Sequence, residues 1–195
     1  GPVWNFGDED MKQRIEEFVK NAQLDIEELD LGKDFDDAAK AHEIIMNGSI
    51  ANSLMNYYQT DKSNLHPFTV KRIEAGIPVS ASDYVSAIEQ AKKMEQILKQ
   101  FFKKYDAIIT PAAPGQAPRD LMNTGNAIFN GYWTMMGVPA ISLPFLKGKD
   151  DLPIGIQFIA NWNEDLKLLE ICKYILDIEK PVSYTHLRAH ETRIH

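Results

Sequence analysis

Cys172 is the only cysteine among the 195 residues. That excludes an intramolecular disulfide and a cysteine metal cluster, and it points to a reducing, cytoplasmic setting. Leu168, Leu169, Ile175 and Leu176 recur around it at helical spacing, so the thiol reads as a buried structural one. Long apolar runs are missing as well. None approaches the roughly 18 residues of a membrane span, and no signal peptide is visible. A basic surplus is also absent. With 21 Lys and Arg against 28 Asp and Glu, the formal charge is -7. A nucleic-acid binder needs a basic face to displace counterions, so that class is disfavoured. Histidine is scarce outside the last residues, and His42–Glu43 lacks the second histidine of H-E-x-x-H, so no zinc site follows. The nucleophile patterns G-x-S-x-G and S-x-x-K are both absent.

What remains is an ordinary soluble composition, 44% apolar and 25% charged, in a length that suits one domain. Met11, Ile15, Phe18 and Val19 predict a helix from Asp8 to Gln23, with Asp8, Glu9 and Asp10 suiting its positive end. "LDIEELDL", Leu24 to Leu31, alternates in its first half and reads as a short strand. A longer helix is expected from Phe35 to Tyr58, interrupted around Gly48. Ser80 and Asp83 form a loose capping box for a helix running to about Lys104. "DAIIT", Asp106 to Thr110, is a short apolar strand that stops at Pro111. The Pro-, Gly- and Ala-rich loop after it lies where sites often form in α/β proteins. A short helix ending at Gly137, two strands and a helix from Glu164 to Glu179 complete the chain. Helices alternate with short buried strands, so the fold class is α/β, a mixed β-sheet flanked by helices.

The two strands late in the chain are unusual. "GVPAISLP" places Ala140 and Ser142 on one face and Ile141 and Leu143 on the other. "LPIGIQFIA" sets Ile154, Ile156 and Phe158 against Gly155, Gln157 and Ile159. Each strand thus has a bulky face and a face that begins small or polar. Small side chains let a backbone or a ligand approach closely. Two readings stand for Gln157: it bonds a neighbouring loop, or its face walls a substrate pocket.

"YDAIITPAAPGQAP", then "TGN", "GVPAISLP" and "LPIGIQFIANWNEDLKLL", resemble in order and spacing the C-terminal half of amidase-signature enzymes. "DYVSAIEQ" before them also fits, and the resemblance covers residues 1–181. It implies hydrolysis of a carbon–nitrogen amide bond by a Ser–Ser–Lys triad. A serine attacks the carbonyl, and a bridging serine passes its proton to a neutral lysine. It implies no cofactor and no metal. The Gly/Ser-rich loop that carries the nucleophile is not in this sequence. "NGSIAN", Asn47 to Asn52, lies in a helix-like stretch and reads as a polar interruption, and Ser142 has no base beside it in sequence. No catalytic residue is therefore assigned.

The expected substrate-side residues are Thr124, Gly125, Asn126, Phe129, Trp133 and Gln157. Phe129 and Trp133 fall four apart on one helical face, and read equally as core. The expected partner is a small-molecule amide, with no nucleic acid and no membrane, and with a homodimer left open. Two other readings remain: the amidase-like subunit of a glutamyl-tRNA amidotransferase, and a non-catalytic α/β binding module. Finally, Val182 to Thr192 resembles translated sequencing-adapter DNA, so residues 182–195 are expected to stand outside the fold. A histidine-rich metal tail is the alternative.

Overall fold

The computed structural model describes residues 3–120 and 122–179. The expectation for residues 182–195 lies outside these. The described elements are α1 (Glu9–Asn21), α2 (Ala38–Asp61), α3 (Pro67–Gly76), α4 (Ala81–Phe101), β1 (Ile108–Pro111), α5 (Ile128–Met136), β2 (Ala140–Lys147), β3 (Pro153–Ile159) and α6 (Asp165–Ile178).

Local chemistry sets most helix ends. Asp8 caps α1, its carboxylate accepting from the Met11 N–H at 2.7 Å, and Glu9 and Asp10 occupy the first turn. Ser80 caps α4 by accepting from the Asp83 N–H at 3.0 Å. Gly137 ends α5 at φ 67°, a left-handed conformation that costs glycine little.

Two expectations are corrected, and one helix is added. Leu24–Leu31 forms no strand. It is an irregular segment whose Leu24, Leu29 and Leu31 reach the core, while none of the described strands lies alongside to pair with it. Alternation marks a half-buried segment, but a ladder also needs a partner. The second correction concerns α2, which continues through Gly48 without interruption. That glycine makes room for Tyr84, since a Cβ there would lie 2.9 Å from the Tyr84 ring, and the adjacent Ser49 hydroxyl lies 2.9 Å from Tyr84 Oη. It serves helix packing, which offsets the roughly 1 kcal/mol that glycine costs inside a helix. The added helix is α3, which the hydrophobic pattern did not announce. His66 Nδ1 accepts from the Phe68 N–H at 3.2 Å, and Pro67 sits in the first turn.

The described sheet has the order β1-β3-β2, antiparallel throughout. Ser142 pairs with Gln157 and Ala140 with Ile159, so the small face of β2 lies beside the Gly155–Gln157 face of β3, as the alternation predicts. The ladder slips between Leu143 and Leu146, where Pro144 has no N–H to donate. The core joins Ile154, Ile156 and Phe158 to Met11, Phe35, Met94, Leu98, Phe129, Trp133 and Leu168. Phe18 of α1 stacks on Phe145 at 5.5 Å between ring centres, and Phe145 meets the edge of Phe158. Cys172 is buried on α6, and that burial pushes its thiol up, away from thiolate.

Candidate functional site

Gln157 is the centre of the polar structure near the end of β1. It is 4% exposed, so its amide must be satisfied by protein. Its Nε2 lies 2.9 Å from Thr110 Oγ1, 2.9 Å from the Pro111 carbonyl and 2.8 Å from the Phe129 carbonyl. One side chain thus joins β3, the last residues of β1 and the first turn of α5. Asn130 adds a bond from its Nδ2 to the Ala112 carbonyl at 3.0 Å. Gly155 leaves space on the same face of β3: a Cβ there would run into Ser142 Oγ and press on Ala112 Cβ. The glycine therefore admits the neighbouring serine and the loop rather than a helix.

The loop from Ala112 to Ala127 leaves this junction and is held along its first half. The Asp8 N–H donates to the Pro114 carbonyl at 2.8 Å. Asp150, in the turn between β2 and β3, accepts from Gln116 Nε2 and from Arg119 Nη2, the latter at 2.8 Å, and its own N–H donates to Gln116 Oε1. Arg119 holds the Asp150 carboxyl below the usual carboxylate range, with Gln116 and Lys149 adding to the effect. Lys149 in turn donates its N–H to Asp10 at 3.0 Å. The second half of the loop turns on its own side chains. Asp120, Asn123 and Asn126 accept from the N–H groups of Met122, Gly125 and Ile128, the short-range pattern typical of Asx turns. Gly125 takes φ 82°.

Thr124, Gly125 and Asn126 are exposed in that loop, and Asn126 also starts α5 through its bond to Ile128. Phe129 and Trp133 lie in the core, each 1% exposed. Gln157 meets Phe129 through the backbone carbonyl, and it bonds the neighbouring loop as one of its two readings required. Thr110, Asn130 and Asp150 were not anticipated, and Ser142 was placed on the small strand face without a partner. Thr110 and Ser142 were open to inference, because each pairs with Gln157 across the ladder. Asp150 carried no local signal.

Two further groups bear on chemistry. His42 is half-buried where α2 meets α5, and Gly131 gives its ring room, since a Cβ there would lie 2.7 Å from Nδ1. Burial, aided by Arg72 and opposed by Glu43, holds His42 below the ordinary histidine pKa. Trp133 Nε1 is the one sealed side-chain polar atom without a hydrogen-bond partner among the described residues. No group of three or more His, Cys, Asp or Glu is placed to hold a metal, and no helix is long and apolar enough to cross a membrane, again among the described residues.

The chain is similar to several known proteins. A glutamyl-tRNA(Gln) amidotransferase subunit from Aliarcobacter butzleri is 34% identical over 139 residues, which is 66% of this chain and 30% of that protein. The putative amidase AmiC of Mycobacterium leprae is 29% identical over 97 residues, 44% of this chain and 21% of that protein. The chain thus spans about 30% of the length of the first of these relatives. A solved crystal structure of an amidase superposes with a TM-score of 0.80 at 17% identity, covering 91% of this chain and 44% of that one. The family model for Amidase matches residues 19–169, most of the described protein, and the chain belongs to the Amidase family.

Proposed function

We propose that this chain is the substrate-side part of an enzyme that hydrolyses carbon–nitrogen amide bonds, with its catalytic serines and lysine outside residues 1–195. The observation that carries the proposal is the Gln157 junction, which fixes the site loop and the first turn of α5 to the central strand. Pre-organisation of this kind is what a catalytic site asks of its supporting structure. In the proposed reaction a serine oxygen adds to the amide carbonyl, the amine leaves with a proton returned through the bridging serine and lysine, and water then cleaves the acyl-enzyme. Thr124, Gly125 and Asn126 border the reacting group from the exposed loop. Phe129 and Trp133 back the acyl side from the core, and Gln157 holds the two together. The enzyme is cofactor-free and cytoplasmic in this reading, and acts on a small amide.

The resemblance to glutamyl-tRNA(Gln) amidotransferase subunits supports a second reading, in which the same chemistry works inside a larger assembly. The net charge of -7 means that contact with tRNA would fall to a partner.

The test is made in the longer enzyme that carries this segment. Asn126→Ala and Trp133→Leu are compared with the parent by kcat/KM across amides of differing acyl size. A changed order of preference supports the site. Equal loss for every substrate, tracking a lower Tm, shows that these residues only hold the core.

A further inference from the structure

Three segments distant in sequence close a ring of hydrogen bonds around the first half of the loop that leaves β1. The start of α1 meets the loop, where the Asp8 N–H donates to the Pro114 carbonyl at 2.8 Å. Gly115 lets the chain lie against the Asp8 carboxylate, into which a Cβ would run. The loop in turn meets the turn between β2 and β3. Gln116 and Asp150 bond reciprocally: Gln116 Nε2 donates to the Asp150 carboxylate, and the Asp150 N–H donates to Gln116 Oε1 at 3.2 Å. Arg119 Nη2 takes the other carboxylate oxygen at 2.8 Å. Gly148 leaves the seat for the Gln116 amide, since a Cβ there would overlap Oε1. The turn then returns to α1, the Lys149 N–H donating to Asp10 at 3.0 Å. Each segment thus bonds the other two, and Asp150 carries the whole connection between loop side chains and turn.

We propose that Asp150 is a positioning residue for substrate binding, acting through Gln116 and Arg119 to hold the loop in its binding shape before substrate arrives. Asp150 is assigned no contact with substrate. Past Arg119, the side chains of Asp120, Asn123 and Asn126 bond only N–H groups two residues further on. Such local turns shape the stretch from Asp120 to Ala127 but do not anchor it to the body of the protein. The latch therefore fixes one end of that stretch and α5 the other. Opening the latch moves the first anchor back to Pro114 and nearly doubles the untethered length, which lowers the population of any one shape about twofold to threefold. Substrate must then restore the order on binding, so the cost falls on KM and spares kcat. The site role rests on the amide-hydrolase reading, whereas the latch stands on its bonds alone.

The test compares Asp150→Ala, Gln116→Ala and the double variant with the parent. In the ¹⁵N-labelled 195-residue chain, backbone order parameters at Gly115, Gln116, Ala117 and Arg119 are expected to fall from about 0.85 toward about 0.6 in Asp150→Ala. Those of β3 stay unchanged, and the double variant adds nothing to Asp150→Ala. In the longer enzyme that carries this segment, KM for a simple amide is expected to rise about twofold to threefold with kcat unchanged. Asp150→Asn keeps an acceptor oxygen for Gln116 and is expected to recover part of both. Order parameters that do not move overturn the latch. An unchanged KM in an active enzyme, or a fall in kcat at constant KM as loss of folded protein would give, overturns the positioning role and leaves the hydrolase reading standing. A parent enzyme inert toward every amide sinks that reading and the site role with it, whatever the order parameters show.

Discussion

Gln157 Nε2 lies 2.8 Å from the Phe129 carbonyl oxygen, and this bond ties the central strand to the first turn of α5. The same nitrogen serves the Pro111 carbonyl. Gln157→Leu removes the donor while keeping most of the volume, and leaves two backbone carbonyls under-satisfied. Each such group costs about 1–3 kcal/mol. The expected loss is about 2–6 kcal/mol by that reckoning, read from urea midpoints. A loss below about 0.5 kcal/mol, the size of an ordinary surface change, would show that the junction contributes little to stability.

Much of the scaffold around that bond was legible in sequence. Asp8, Ser80 and Gly137 each announce a helix boundary through chemistry confined to neighbouring residues. The two faces of β2 and β3 follow from alternation alone. The remainder depends on residues distant in sequence. Leu24–Leu31 has a strand's pattern and lacks a neighbour. Gly48 looks like a break until Tyr84, from the next helix but one, fills the space beside it. Asp150 reaches Gln116 and Arg119 across separations of 34 and 31 residues, so no local motif could reveal how the site loop is fastened.

Trp133 offers a separation of packing from hydrogen bonding. Its Nε1 bonds nothing among the described residues, so Trp133→Phe loses no hydrogen bond and removes only part of a buried ring system. Its cost is expected to stay well below the roughly 3–5 kcal/mol of a large-to-alanine core change. Trp133→Leu removes the whole ring system and should cost more. Thermal unfolding of the two variants decides the order. Equal losses would mean that the six-membered ring Phe retains adds nothing over the volume of a leucine.

His42 sets an expected pH dependence. Its folded pKa is depressed, chiefly by burial, below an unfolded value of about 6.5. As pH falls below that value the unfolded chain takes up a proton that the folded chain refuses, so stability declines until the folded pKa is passed. The contribution is complete above about pH 7.5, a full unit beyond the unfolded value. Urea midpoints should fall between about pH 7 and 5 in the parent, and fall less in His42→Asn. Parallel curves for the two proteins would remove His42 as the cause.

The most direct measurement of the central claim is ammonia release from a panel of simple primary amides. It is run on the 195-residue chain and on the longer enzyme that joins this segment to a Gly/Ser-rich loop and its lysine. Without nucleophile and base, covalent catalysis forfeits most of its rate. No turnover is expected from the chain alone and clear turnover from the longer enzyme, abolished when the loop serine is replaced by alanine. Hydrolysis by the 195-residue chain that survives repurification, or a longer enzyme inert toward every amide, would contradict the assignment.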